Sequence, residues 1–267
     1  MKQLLKCPTL LVLMLITVGY VKADITDDLV VYFTFDSVKG NRILDNSGNG
    51  LDAEVIENTK FVKGKYGNAI HITNETEDCV NIPTVRALEI SEEITMMAWV
   101  YHDDWTEGTF QWLDKGSYNR SHSQYGMAVY DEKDLHGADG IGIILGRGEF
   151  RAIYLIDNKM KNGTWHHIVG ICTDSSVEIY LDGESVLDFD ARKRPRFNGA
   201  NDQDLRIGCA ENKPGYAFKD GFIDEVAIWS RALSEAEIRT AMQGPLFPVS
   251  PKDKIATTWG NIKGQRF

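Results

Sequence analysis

The amino-acid sequence predicts an all-β protein, a two-sheet antiparallel jelly-roll sandwich with one short C-terminal helix. Short runs of β-branched and aromatic residues recur along the chain, and turn-forming Gly, Asn and Asp clusters separate them. Only one segment has the sequence of a capped helix. So many short strands require a closed or double sheet to protect their edges, which favours the jelly roll.

Residues 1–23 have the pattern of a secretory signal peptide. Lys2 and Lys6 precede the apolar run Leu10–Val18, and Val21–Ala23 supplies a small-residue cleavage site. The apolar run is shorter than a membrane span requires, although an uncleaved anchor is the alternative. We therefore expect an exported protein that is secreted, periplasmic or on the cell surface, with no membrane span after cleavage.

The strands follow in order and end in the helix. The predicted strands are Leu29–Asp36, Asp52–Ile56, Ala69–Thr73, Asp78–Ile82, Ile94–Tyr101, Thr109–Lys115, Gln124–Tyr130, Ile141–Leu145, Arg151–Ile156, Trp165–Cys172, Val177–Leu181, Ser185–Phe189, Leu205–Cys209 and Gly221–Trp229. Ser234 opens the helix with Glu237 as its capping-box partner, and Gly244 closes it. One domain is predicted over 24–244, followed by a proline-containing tail over 245–267.

The charge of the chain restricts its partners. The formal net charge is −10, and signal cleavage removes three lysines and no acid, which takes it to −13. Nucleic acid is an unsuitable partner for so acidic a chain, because its phosphates would be repelled. Divalent cations, which prefer hard oxygen ligands, are compatible with it. The oligomeric state does not follow from the sequence.

Three cysteines remain after signal cleavage, so an exported protein can pair two of them. Cys172 and Cys209 each end a predicted strand, and we expect a disulfide between them in preference to one with Cys79. Three free buried thiols are the alternative that the sequence leaves open.

The strand Gly221–Trp229 is apolar but carries Asp224. Strict alternation would place Asp224 on the same face as Phe222, Val226 and Ile228, and therefore in the core. A buried carboxylate must be paired, hydrogen-bonded or bound to metal, because an isolated charge is too costly to bury. Asp36, at the end of the first strand, raises the same question.

The sequence offers little support for catalysis. Glycoside hydrolysis needs two carboxyl groups facing each other across the scissile bond. Asp224 and Glu225 are adjacent and would face opposite ways, and Asp103-Asp104 lies in a predicted loop. We therefore expect a non-catalytic protein, with a carbohydrate hydrolase or lyase on the same fold as the alternative.

Six motifs occur in the order found in one known family. They are Tyr32–Asp36, Asp45–Gly50, Gly64–Ala69, Gly163–Gly170, Tyr180–Gly183 and Ile223–Trp229. In this order the chain resembles the laminin G-like jelly rolls of the concanavalin A-like lectin/glucanase superfamily, over roughly residues 29–244. The segment Ile255–Gly260 resembles the endings of bacterial exported members.

The resemblance implies a structural calcium ion near the first and last strands. Asp36 and Asp224 match ligand positions of the family, and Thr73 and Asn74 fall where the family often has Asp-Gly. The alternative is that both carboxylates accept main-chain N–H bonds at turns or pair with arginine.

The resemblance also implies a concave sheet that can bind saccharide, with exposed aromatic and polar side chains in the middle strands and loops. The candidates there are Trp105, Trp112, Tyr118, Arg120, Tyr125, Arg151 and Tyr154, whereas Trp99, Trp165 and Trp229 are assigned to the core. The predicted function is a secreted non-catalytic module that binds glycan or an extracellular or cell-surface protein. A purely structural module is the remaining alternative.

Overall fold

The fold is taken from a computed structural model of the chain. The structure describes residues 24–56, 59–73, 78–105, 110–116, 124–130, 140–145, 151–154, 160–190, 201–209 and 218–247. The predicted signal peptide and all but the first three residues of the predicted tail lie outside these ranges.

The described residues form short strands and one α-helix, as the sequence predicts. The strands are β1 Leu29–Phe33, β2 Val38–Lys39, β3 Arg42–Ile43, β4 Ala53–Ile56, β5 Lys60–Lys63, β6 Asn68–Ile72, β7 Cys79–Ile82, β8 Ile94–His102, β9 Phe110–Lys115, β10 Tyr125–Tyr130, β11 Gly140–Leu145, β12 Arg151–Tyr154, β13 Thr164–Cys172, β14 Ser176–Leu181, β15 Glu184–Asp190, β16 Leu205–Ile207 and β17 Gly221–Trp229. Strands β2, β3 and β5 are additional to the prediction. The helix α1 spans Glu235–Met242, and the Ser234–Glu237 capping box is confirmed.

The strands pair into two antiparallel sheets, which confirms the predicted sandwich. The first sheet has eight strands in the order β15-β14-β13-β8-β17-β6-β5, with β1 paired to β17. The second sheet has nine strands in the order β12-β11-β10-β9-β16-β7-β4-β3-β2. Strands β1 and β17, from opposite ends of the domain, are therefore direct neighbours.

The main core lies between the sheets and is built from alternate residues of their strands. Val100, Ile223, Met127 and Leu205 are among its fully buried members. A second apolar cluster lies on the outer side of the first sheet, where α1 covers it and Trp229 is buried. Burial of these side chains removes a large apolar area from water and is the main stabilising contribution.

The disulfide prediction was wrong in its choice of partner. Cys209 is bonded to Cys79, with a Cα–Cα distance of 5.5 Å, and Cys172 is a free buried thiol. The reason is topological: β16 pairs with β7 in the second sheet, so Cys79 and Cys209 lie together, whereas Cys172 ends β13 in the first sheet. A disulfide is typical of proteins that fold in an oxidising compartment.

Within the described part of the chain, no helix has the length and apolar character needed to cross a membrane.

Candidate functional site

The structure brings Asp36 and Asp224 to the same turn, although they are far apart in the sequence. The turn Gly64–Gly67 joins β5 to β6 and is closed by a 3.0 Å hydrogen bond from the Gly64 N–H to the Gly67 carbonyl. A Cβ atom on Gly64 would collide with the Asp224 carboxylate, and one on Gly67 with the Asp36 carboxylate. Glycine at both positions is therefore what allows the main chain to approach the two acids so closely.

Main-chain N–H groups hold both carboxylates in place. The Tyr66 N–H donates to Asp224 Oδ2 over 2.9 Å, and the Glu225 N–H donates to Asp224 Oδ1 over 2.8 Å. The Asn68 N–H donates to Asp36 Oδ1 over 2.7 Å. The acids are thus partnered by the main chain, which is the arrangement that the alternative to a metal site required.

A bulge in β17 changes the face on which Asp224 lies. Pairing with β8 is irregular between Asp224 and Ala227, and Glu225 adopts a positive φ of 53°. The extra residue places Asp224 on the outer face, whereas Val226 and Ile228 point into the core. The predicted alternation of Asp224 with Val226 and Ile228 was wrong for this reason.

Strained backbone flanks each of the two acids. Phe35, directly before Asp36, is fully buried and has a φ of 56°, and Glu225, directly after Asp224, also lies in the left-handed region. A positive φ is costly for any residue with a Cβ, and most of all for a bulky one. The surrounding structure therefore imposes this local geometry at both acids.

A third acid, Glu225, joins the cluster through Tyr32. The Tyr32 hydroxyl donates a short hydrogen bond to Glu225 Oε2 and accepts a 3.0 Å bond from the Leu246 N–H. Glu225 Oε1 is buried and finds no hydrogen-bond donor in the described part of the chain. Glu225 and Tyr32 were not among the site residues predicted from the sequence, because the bulge that brings Glu225 to Tyr32 has no local sequence signal.

Burial and the repulsion of neighbouring carboxylates raise the pKa values of Asp224 and Glu225. Burial is the main cause that raises the pKa of Asp224 to about 8, and the charges of Glu225 and Asp36 add to it against two N–H donors. Burial likewise raises the pKa of Glu225 to about 7; the Tyr32 hydroxyl opposes this and the Asp36 charge reinforces it. Such a cluster is stabilised either by protons or by a cation.

Calcium prefers hard oxygen ligands such as carboxylates and main-chain carbonyls, and the two acids at this turn are of that kind. The buried Glu225 Oε1, which has no donor in the described part of the chain, and the raised pKa of Asp224 would both be favoured by a nearby cation. Among the described residues, however, no three acidic, histidine or cysteine side chains converge closely enough to hold a metal ion by themselves. Calcium here would depend on Asp36 and Asp224 completed by main-chain oxygens and water.

Of the two remaining predicted metal ligands, Thr73 is not at this turn. Thr73 follows the opposite end of β6 from Asn68, and its hydroxyl donates a short hydrogen bond to Asp78. Five residues of strand separate Thr73 from the N–H that holds Asp36, a distance of about 16 Å. Asn74 lies outside the described residues.

The predicted aromatic ligand residues that can be described are interior. Trp112 and Tyr125 are fully buried in the main core, and Trp105 is only 4% exposed. The Tyr125 hydroxyl donates to the Leu88 carbonyl over 3.0 Å, and the Trp105 indole N–H donates to the Lys161 carbonyl over 3.3 Å. As placed, these three rings present no surface on which a sugar could stack.

The structure describes the side chains of none of the other four predicted ligand residues. Tyr118 and Arg120 lie outside the described residues, and Arg151 and Tyr154 are described only as the backbone of β12 at the edge of the second sheet.

The outer face of the second sheet carries a run of polar residues that we call the polar row. In the strand register it consists of Arg42, Glu54, Asn81, Arg206 and Asp114, each opposite the next. Arg42 and Glu54 are exposed at the sheet edge, but Asp114 is fully buried and Asn81 is bonded to Asp204. The row therefore becomes interior towards β9.

Solved structures with a similar fold include toxin binding domains and a sialidase. The binding domain of Paraclostridial Mosquitocidal Protein 1 is 15% identical with a TM-score of 0.63, over 82% of this chain and 52% of that one. The receptor binding domain of botulinum neurotoxin D is 16% identical with a TM-score of 0.63, over 82% of this chain and 53% of that one. Trypanosoma rangeli sialidase in complex with sialic acid is 19% identical with a TM-score of 0.59, over 81% of this chain and 33% of that one.

At such low sequence identities, the similarity to these structures shows a shared fold only. The chain spans about half of each toxin domain and a third of the sialidase. A sequence comparison with curated proteins finds no match. A laminin G-type family model described as the concanavalin A-like lectin/glucanases superfamily matches residues 74–239, more than half of the chain. With the jelly-roll topology observed above, the chain belongs to the concanavalin A-like lectin/glucanases superfamily.

Proposed function

We propose that the protein is an exported, non-catalytic binding module that recognises glycan, with a structural calcium ion at the junction of its first and last strands. The observation that carries the calcium part of the proposal is that Asp36 and Asp224 both lie against the Gly64–Gly67 turn, each next in the chain to a residue with a positive φ. Superfamily membership supports a binding function. The similar folds of the botulinum neurotoxin D receptor binding domain and of the sialidase in complex with sialic acid support glycan as the ligand class.

Calcium would relieve the repulsion at the β1–β17 junction. Asp36 follows β1 and Asp224 lies in β17, so one cation shared by the two acids would hold these strands together. It would also offset the desolvation that raises the pKa of Asp224 to about 8. Because protons compete with the ion for the same oxygens, calcium affinity should rise with pH until about pH 8.

The calcium proposal is tested by thermal unfolding. We expect a chelator to lower the Tm, added calcium to restore it, and Asp36→Asn to abolish the difference. Asp174→Asn, an exposed acid in a loop of the first sheet, is the matched control and should leave the calcium effect unchanged. Equal Tm values with chelator and with calcium, together with no heat of calcium binding in calorimetry, would remove the ion from the proposal.

Glycan recognition is tested separately, by binding to a glycan array with and without calcium and by an assay for reducing ends on each bound polymer. Binding without release of reducing ends supports a non-catalytic module. Turnover of a bound glycan would instead establish an enzyme, and the absence of any glycan bound under either condition would contradict the proposed ligand class.

A further inference from the structure

Four aromatic side chains and one lysine lie side by side on the outer face of the first sheet. The register pairs Trp165 with Tyr101, Tyr101 with Phe222, Phe222 with His71, and His71 with Lys60. Opposite residues of an antiparallel pair share a face, so this aromatic row crosses β13, β8, β17, β6 and β5. At about 4.8 Å between strands, the row is roughly 19 Å long.

The aromatic row is the part of this face that nothing described covers. Neighbouring residues on the same strands, such as Val100 and Ile223, point into the main core. Further along the strands the outer face is covered first by the Gly64–Gly67 turn and then by α1. The four rings of the row are partly exposed and Lys60 is exposed.

Contacts between the rings keep the row rigid. The His71 and Phe222 rings stack at a centroid distance of 4.6 Å and an angle of 13°. The Tyr101 ring meets the Phe222 ring edge-on, with the centroids 5.3 Å apart. It is tilted against the Trp165 ring, with the centroids 5.7 Å apart. Such aromatic pairs stabilise a sheet, and this alone explains why the rings pack against one another. Because the four rings are also partly exposed to solvent, they form a pre-organised strip that a ligand could contact.

Lysines flank the row in a chain whose net charge is −10. Lys60 ends the row on the edge strand β5, and the Lys65 ammonium lies 4.0 Å from the centroid of the Trp99 ring, on the same face. Among the described acids, Asp103 accepts a 2.8 Å hydrogen bond from the Tyr101 hydroxyl at the other side of the row, and Asp224 lies on the same face two residues beyond Phe222, under the Gly64–Gly67 turn.

We infer that the aromatic row binds an extended acidic polysaccharide. The partly exposed rings would contact the carbon faces of successive sugars, and the lysines at the β5 end would bind their acidic groups. A shallow strip about 19 Å long suits a chain of several sugars better than one sugar, which needs an enclosing pocket. This inference rests on the proposed glycan-binding function and gives it a surface and a ligand class.

The probes are polygalacturonate, its methyl-esterified form, which lacks the charge, and heparin as a sulfated polymer. We expect binding to polygalacturonate or heparin that weakens with added salt, and little binding to the ester. Lys60→Glu should weaken binding about tenfold, as for loss of one charge-assisted contact. Lys39→Glu, the same change at an exposed residue of the second sheet, is the control and should have no effect.

Trp165→Ala tests the rings, with its Tm measured to show that the variant is folded. Loss of binding in both Lys60→Glu and Trp165→Ala would support the inference. Unchanged binding of an acidic polymer in both would overturn the site while leaving the glycan-binding function intact. Preference for the ester, or binding of a protein but of no polysaccharide, would overturn the ligand class, and in the second case the proposed function fails as well.

Discussion

The outer faces of the two sheets carry cross-strand rows of opposite chemistry. The polar row of the second sheet runs from the exposed Arg42 to the fully buried Asp114, and its described contacts are internal. The aromatic row of the first sheet stays partly exposed along its length. The comparison shows that polarity and exposure do not go together here: the charged row is buried at its β9 end, whereas the aromatic row is partly exposed on every strand that it crosses.

The largest expected effect concerns the disulfide beside the polar row. Replacing Cys79 and Cys209 together by Ala should lower the free energy of unfolding by about 2–5 kcal/mol, because the bond closes a loop with a sequence separation of 130. Urea unfolding measures this. Cys172→Ala, in the first sheet, should cost no more than about 1 kcal/mol. Equal losses in the two variants would contradict a stabilising function specific to the second sheet.

The next effect lies on the outer side of the first sheet, at His167. Burial lowers the pKa of this imidazole to about 4 from 6.5; Asp182 opposes the shift and Lys65 reinforces it. The unfolded chain therefore takes up this proton at a higher pH than the folded chain does. The stability that the neutral ring provides is complete above about pH 6.5 and is lost as the pH falls towards 4, by about 3 kcal/mol.

His167→Phe isolates this contribution, because Phe keeps a ring against Trp99 and neither ring nitrogen of His167 has a hydrogen-bond partner among the described residues. The difference in unfolding free energy between wild type and His167→Phe should be constant above pH 7 and shift in favour of the variant below pH 6. Curves that stay parallel down to pH 4 would show that the imidazole is not buried in its neutral form.

The smallest effect compares two tyrosine hydroxyls. Tyr125→Phe removes a buried bond to the Leu88 carbonyl and should cost about 1–3 kcal/mol, because the carbonyl is left without its donor. Tyr101→Phe removes a bond to the exposed Asp103 in the aromatic row and should be within about 0.5 kcal/mol of wild type. Thermal unfolding checks both, and the reverse order would mean that the row is not open to solvent.

The architecture could be predicted from the sequence because its signals are local. Alternating apolar residues, turn-forming glycines and the Ser234–Glu237 capping box each act within a few residues, and the structure confirms the sandwich and the helix. The Cys79–Cys209 bond could not be predicted, since it depends on β7 and β16 being neighbours in the same sheet. Strand order is set by packing across the whole domain.

The candidate site was predictable only in part for the same reason. The proximity of Asp36 and Asp224 to one turn follows from the family motifs, but the bulge at Glu225 reverses the face of Asp224. The sequence places Trp112 and Tyr125 among the exposed ligand candidates, but both are buried, because they lie on the side of β9 and β10 that meets the first sheet. Trp165, assigned to the core from sequence, is partly exposed because it alternates with the buried His166.

The pairing of β1 with β17 has a consequence for how the domain can be connected to other chains. Leu29 lies opposite Trp229, and the Ser230 N–H donates to the Asp28 carbonyl over 3.0 Å, so the polypeptide enters and leaves the sandwich at one place. A domain with adjacent ends can be inserted into a surface loop of a host protein without stretching either.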